Sequence, residues 1–274
     1  MTAISPTDNA DLGYFGPGSI VWRMHAHPSL MIGGLRTLLL QALNPRSMAA
    51  VEQHSKYKGD PWGRLGRTSD YIVTTTYGSR AQADLAAKRL RAIHRRIRGV
   101  DPVTERPYCA DDPELLLWVH ATEVDSFLAA YRTYGAGLSD ADADRYVREM
   151  IKAAVLVGLP ADDVPSSVAE VDAYLRSFDG LAVTSGAREG MRLLLNPPMP
   201  LPLKPLWAQF AVAAVGLLPQ EARELYGLPW IRAIEPSLRI YMFGVMRLAG
   251  ALLPVHPQVR DAHRRARTDG LDAA

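Results

Sequence analysis

Apolar residues recur along most of the chain at helical spacing, and polar start and stop signals bracket the repeats. An acidic cap precedes proline at Asp60-Pro61 and again at Asp112-Pro113. Proline lacks only an N–H that the first helical turn leaves unpaired, so both pairs read as helix starts. Ser79 and Gln82 have the spacing of a capping box, Ser139 with Asp142 is an acidic variant, and Ser167 with Glu170 repeats the pattern. These signals predict helices from Asp60 to Thr76, from Ser79 past His94 to a stop at Gly99, and from Asp112 to before Gly135. Later helices stop at Gly158 and Gly180. Prolines 197, 198, 200, 202 and 205 form a connector, and apolar helices return between Pro219, Pro229 and Pro236. The single β-branched run, Ile72 to Thr76, directly follows a strong helix start. The predicted fold is an all-α, multi-helix bundle.

No internal repeat appears, and the proline connector separates at most an accessory layer from the main bundle. One domain over residues 1–274 is expected, with a flexible N-terminus at 1–12 and a polar tail at 257–274. Arg260, Arg264, Arg265 and Arg267 make that tail a solvated terminal helix or a frayed end. The runs Leu206 to Leu218 and Ile240 to Leu253 fall short of the roughly 20 residues that span a bilayer, and Arg247 interrupts the second. Both read as buried core helices. Met1 to Leu12 carries two aspartates and no apolar core, unlike a secretory signal, so a cytoplasmic location is expected. Composition supports a folded protein, with 48% hydrophobic and 22% charged residues. Lys and Arg total 31 against 29 acidic residues, which is too even a balance for a nucleic-acid partner. The single cysteine, Cys109, excludes an intrachain disulfide, a four-cysteine zinc site and a c-type haem attachment pair, and it suits a reducing compartment.

Two helical faces could carry chemistry. Arg64, Arg67, Thr68 and Tyr71 share one face, where two cations, a hydroxyl and a phenol could hold an anion or donate hydrogen bonds to an oxidised substrate. An ordinary polar helix surface has the same pattern. His94 lies on a stripe with Ala87, Leu90 and Ile97 among several arginines. One neutral imidazole nitrogen is enough to hold a haem iron, and adjacent cations suit its propionates. A histidine at the edge of a core gives the same stripe. His120, with Leu116, Leu117, Val124 and Phe127, is the rival ligand. His25, His27 and His54 have no partner at metal-binding spacing, and no Glu-x-x-His pair exists for a di-iron bundle. Dinucleotide, Walker and nucleophile-elbow motifs are absent as well. The loop around Cys109 suits a plain thiol better than a haem thiolate.

Five segments taken in order resemble the bacterial oxygenase family that includes the rubber oxygenases (latex-clearing proteins) and the mpaB-type oxygenases. They are Gly16-Pro17-Gly18-Ser19 with Trp22, Gly33-Gly34-Leu35-Arg36 leading to Asn44-Pro45-Arg46, Arg64-Leu65-Gly66-Arg67-Thr68, His94, and Trp118-Val119-His120-Ala121. The resemblance implies a globin-like helical arrangement around a noncovalent haem b, with dioxygen and an apolar, isoprenoid or other alkenyl small molecule as reactants. It implies His94 as the iron ligand and Arg64, Arg67 and Thr68 as the distal catalytic motif. Arg64, Arg91 and Arg98 then hold the cofactor. The family motif usually has lysine where Arg67 stands, and an arginine, always protonated, is not expected to cap iron. Glu52 is the nearest candidate for the glutamate that the family uses as a base. Two other classes stay open: a haem-binding sensor without turnover, and a haem-free helical module. The latter would present Lys88, Arg89, Arg91, Arg95, Arg96 and Arg98 to an acidic partner or, peripherally, to a membrane.

Overall fold

The computed structural model describes residues 11–268; the expectations for residues 1–10 and 269–274 lie outside the described residues. Thirteen α-helices and one two-stranded ribbon make up the described chain, so the fold is all-α as the sequence pattern predicts. At its centre lies α6 (Pro113–Tyr134), a 22-residue helix buried on nearly every side, from Leu115 and Trp118 through Phe127 to Tyr134. A helix that is apolar all round must be wrapped by others. Its closest partner is α2 (Leu30–Gln41). Gly33 makes that approach feasible, since a Cβ there would stand 2.8 Å from the Phe127 ring and 3.1 Å from the Ser126 carbonyl. On another side pack α1 (Ile20–His25), α7 (Asp140–Val157) and α8 (Val168–Ser177), which share a core with α6 through Met24, Tyr146 and Val171. The C-terminal third adds a layer of α10 (Lys204–Leu217) and α12 (Glu235–Leu252), linked by the short α11 (Gln220–Tyr226).

Arg36, only 4% exposed, ties three of these helices together. Its guanidinium pairs with Asp125 at 2.6 Å, donates to Ser126 Oγ at 2.7 Å and donates to the Leu217 carbonyl at 2.7 Å, at the end of α10. A cation at that position meets both an unpaired terminal carbonyl and the negative end of the helix dipole. Arg36 belongs to the Gly33-Gly34-Leu35-Arg36 segment, and Asn44 caps α3 (Pro45–His54) by accepting from the Arg46 and Ser47 amides. Ser19 likewise caps α1 through the Trp22 amide. These segments build the scaffold rather than the chemistry.

Helices α4 (Pro61–Tyr77) and α5 (Arg80–His94) form a hairpin closed by the Ser79/Gln82 capping box that the sequence predicts. The β-branched run at 72–76 is helical. The sequence expectation that α5 continues to Gly99 is overturned, because the helix ends at His94. Residues Arg98–Val100 instead pair antiparallel with Pro107–Cys109. Pro102 disfavours helical backbone at Asp101. The buried Asp101 carboxylate accepts the Val103 and Thr104 amides and so holds a turn in place of another helical turn. Gly99 serves close packing here, since a Cβ would fall 2.5 Å from the Tyr108 hydroxyl.

Two expectations about the C-terminal third also change. α12 is not a buried core helix: Met242 and Met246 are its only fully buried residues. The helix in the tail, α13 (Pro257–Thr268), is docked, with Val259, Ala262 and Ala266 buried and the first two packed on Trp22 and Tyr77. Its small residues fit against aromatic rings, Arg265 donates to the Tyr77 carbonyl, and Arg260 and Arg264 are exposed.

Candidate functional site

The α4–α5 hairpin positions the predicted site residues. Arg64 precedes the turn at Gly78 by 14 residues and His94 follows Ser79 by 15, so at 1.5 Å per residue both stand about 21 to 22 Å from the turn. Arg64 is half-buried, and its guanidinium donates to Ser55 Oγ at 2.7 Å. Burial, and then the neighbouring Arg67 charge, lower its pKa from the ordinary arginine value. Arg67 points to solvent, 3.4 Å from the Asp60 carboxylate. Thr68 is exposed and returns its hydroxyl to the Arg64 carbonyl at 3.1 Å. Tyr71, one turn further on, carries a buried hydroxyl without a hydrogen-bond partner among the described residues.

His94 stands on the α5 face that includes Ala83 and Ala87. Its Nδ1 is buried and has no partner among the described residues. Burial lowers its pKa, and Asp111 opposes that shift only in part, so the ring is neutral at ordinary pH. Arg91, one turn earlier, turns inward and donates to the Leu156 carbonyl, while Arg98 lies in the ribbon with its Nε on the Arg95 carbonyl. The six cations from Lys88 to Arg98 therefore do not form one exposed helix face. Glu52 is engaged by Lys58 at 3.4 Å, and His54 Nε2 donates to the Arg98 carbonyl at 3.1 Å.

Beneath the hairpin lies a polar group that the sequence reading did not single out. Glu123, on α6, is one turn beyond His120. No hydrogen bond or ion pair reaches it among the described residues, and burial alone pushes its pKa up to about 7. Its charge acts on the phenols of Tyr71 and Tyr146, and Arg91 also acts on Tyr71. His120 is buried too, and desolvation lowers its pKa to about 4. A glutamate in a run as apolar as Leu115 to Leu128 was the available signal, because such a position is rarely acidic without a purpose. His25 ends α1 inside the core. Its two nitrogens meet Thr76 Oγ1 at 3.1 Å and Tyr146 Oη at 3.2 Å, which makes it a bridge between helices.

On the other side of Arg64 lies an apolar cavity of about 90 Å³, walled by Leu38, Met48, Val51, Leu65, Leu194 and Trp207. Arg64 and Tyr57 supply polar groups at its edge, and the Tyr57 hydroxyl is also without a partner. Cavities of roughly this size, about 150 Å³ in an engineered case, admit small apolar molecules.

Among the described residues no group of three or more His, Cys, Asp or Glu side chains is arranged to hold a metal ion. The donor set is instead single neutral imidazoles, His94 first and His120 second. That chemistry fits a metal that brings its remaining ligands with it, as a haem does, and the orphaned Nδ1 of His94 fits a ring awaiting a partner.

A family model described as "ER-bound oxygenase mpaB/B'/Rubber oxygenase, catalytic domain" matches residues 22–250, a span that takes in α4, α5, α6 and the cavity. No curated protein and no solved structure matches the chain. Most of the chain lies within the matched span, and its order of capped helices, hairpin and central helix is the one described above: the chain belongs to the mpaB/rubber oxygenase catalytic-domain family.

Proposed function

We propose that the protein is a haem b-dependent oxygenase that applies dioxygen to an apolar substrate, an isoprenoid or other alkenyl molecule. The observation that carries this reading is His94: a neutral, half-buried imidazole with an orphaned nitrogen among the described residues, on the helix that follows the one bearing Arg64. Haem held by His94 would supply the oxygen chemistry. The chain's own groups do the rest. Arg91 and Arg98, which flank His94 in sequence, would pair with the haem carboxylates, with Arg64 contributing a third cation. Arg64 would direct hydrogen bonds at charge developing on the substrate, Thr68 would join it by turning its hydroxyl away from the Arg64 carbonyl, and the apolar cavity beside Arg64 would seat hydrocarbon and exclude water. Arg67 is exposed and pairs with Asp60, and it does not wall this cavity. The free Cys109 suits a reducing, cytoplasmic setting.

An absorption spectrum of cofactor-replete protein, with and without dithionite and carbon monoxide, tests the reading directly. A haem Soret band that shifts with carbon monoxide is expected, and a colourless protein after haem supplementation would refute it. His94→Ala should lose haem while His120→Ala largely retains it, provided both variants keep native circular dichroism. Full haem occupancy in His94→Ala would transfer the ligand role to His120. Arg64→Ala and Thr68→Ala should keep most of the haem but lose about 10²- to 10³-fold in alkene-dependent oxygen consumption, the cost of a lost transition-state hydrogen bond. Haem without any alkene-dependent oxygen uptake would instead support a sensor.

A further inference from the structure

Arg64 is a half-buried cation whose guanidinium donates to a neutral hydroxyl, that of Ser55, and pairs with no carboxylate among the described residues. The nearby acids are engaged elsewhere. Lys58 holds Glu52 at 3.4 Å and Glu189 at 2.6 Å, while Asp60 pairs with Arg67 and accepts the Gly63 amide at the start of α4. A charge drawn out of water without a counter-charge is costly. Arg64 therefore fits a site that receives its anion from outside the chain.

Tyr57 is the second observation. It lines the same cavity as Arg64 and is only 6% exposed, and its hydroxyl is sealed from water with no partner among the described residues. Arg64 acts on this phenol electrostatically, yet no hydrogen bond joins the two. Burial raises the Tyr57 pKa, Glu52 and Glu189 add to the rise, and Lys58 and Arg64 oppose it. The hydroxyl thus keeps its proton and is free to donate. Two donors, one charged and one neutral, share a cavity that no acidic side chain lines and that is otherwise mostly apolar.

The chemistry of the two donors selects the ligand. A carboxylate offers two oxygens in one plane, enough for a guanidinium on one side and a phenol on the other. One unpaired guanidinium balances one negative charge, whereas a phosphate monoester brings close to two. Size selects the rest. The cavity of about 90 Å³ is smaller than the roughly 150 Å³ that admits benzene, so the hydrocarbon part is short, about four to six carbons.

We infer that this cavity binds a short-chain carboxylate, its charged end held by Arg64 and Tyr57 and its hydrocarbon end among Leu38, Met48, Val51 and Leu194. Within the oxygenase reading the ligand is the substrate, a short alkenoate; that role rests on the reading, and the binding does not. Gly190 leaves the room for it. This residue lies in α9 (Ser185–Leu195) and lines the cavity, and a Cβ there would meet only Met48 Cε at 3.8 Å. A larger side chain at 190 would therefore occupy the cavity without striking the backbone.

The test is an NMR titration of the full-length protein, haem-free and haem-supplemented, with the short branched alkenoate tiglate. Tiglyl alcohol keeps the same hydrocarbon and removes the charge. Tiglate should bind at least about 10-fold more tightly than the alcohol. Arg64→Met should weaken tiglate about 10- to 100-fold and leave the alcohol unchanged, and Tyr57→Phe, which deletes only the orphaned hydroxyl, should weaken tiglate about 3- to 10-fold. Gly190→Leu should abolish binding of both, with circular dichroism confirming the fold of every variant. The inference fails if tiglate does not bind at millimolar concentration, if acid and alcohol bind equally, or if Arg64→Met and Tyr57→Phe bind tiglate as wild type does. Undiminished binding to Gly190→Leu would place the ligand elsewhere and overturn it as well. Tighter binding of tiglyl phosphate would replace the carboxylate by a phosphate, and binding confined to the haem-free protein would give Arg64 to a haem carboxylate; either result refutes the inference. Oxygen uptake is not part of the readout, so a protein that takes up no haem loses the oxygenase reading and still answers this test.

Discussion

Arg36→Met is expected to cost about 3 kcal/mol of folding stability or more, because breaking one side of a buried ion pair leaves the other charge uncompensated. The arginine side chain is 5% exposed and Asp125 is 21% exposed. Asp125 would keep a residual path to water, which sets the loss near the lower end of the usual 3–5 kcal/mol range. Three groups lose their partner at once: the Asp125 carboxylate, Ser126 Oγ and the Leu217 carbonyl. The last belongs to the end of α10, where Arg223 also donates to the Gly216 and Leu218 carbonyls. α10 should therefore loosen first. Urea unfolding of Arg36→Met, Asp125→Leu and the double variant measures the effect. The double variant should be less destabilised than the sum of the singles, since it removes the stranded charge together with its partner. Strict additivity, or a loss below about 1 kcal/mol in Arg36→Met, would show that the pair holds little of the structure.

Which features were legible in the sequence follows from how local each one is. The caps at Asp60, Ser79, Asp112, Ser139 and Ser167 act within three or four residues, and all five appear as helix starts in the structure. The end of α5 was missed because it depends on a turn built by Asp101 and on Tyr108 approaching Gly99, contacts that no helical pattern encodes. Burial of α12 was misjudged for a related reason. An apolar helix reads the same whether its second face meets protein or something outside the chain. In the site, Arg64 and Thr68 share a helix with four-residue spacing and were readable. The meeting of Tyr71, Glu123 and Tyr146 joins three helices far apart in sequence, and only tertiary structure brings them together. His25 shows the same limit, since its partners Thr76 and Tyr146 lie 51 and 121 residues away.

Glu123→Gln is expected to stabilise the protein by about 3 kcal/mol at pH 8 and by less than about 1 kcal/mol at pH 5. The carboxyl has its pKa raised from 4.5 to about 7 by burial, and each unit of difference between folded and unfolded states corresponds to about 1.4 kcal/mol. Between those two values the folded protein holds a proton that the unfolded chain has released, so stability falls as pH rises and levels off above the folded pKa. An amide cannot titrate, and the variant loses that slope. The buried histidines act in the opposite direction: His25 falls to about 3 and His120 to about 4. Both are kept neutral by burial, and their contribution is present above about 6.5 and lost as pH drops through the folded values. They are common to wild type and variant, so the difference between the two isolates Glu123. Urea unfolding of both proteins at pH 5, 6, 7 and 8 provides the measurement, with the gap widening steadily up to about pH 7. Parallel profiles would mean that the carboxylate is solvated or paired in solution. A widening gap would mean that Glu123 changes charge near neutrality between Tyr71 and Tyr146, which is the condition for a buried group to give or take a proton at working pH.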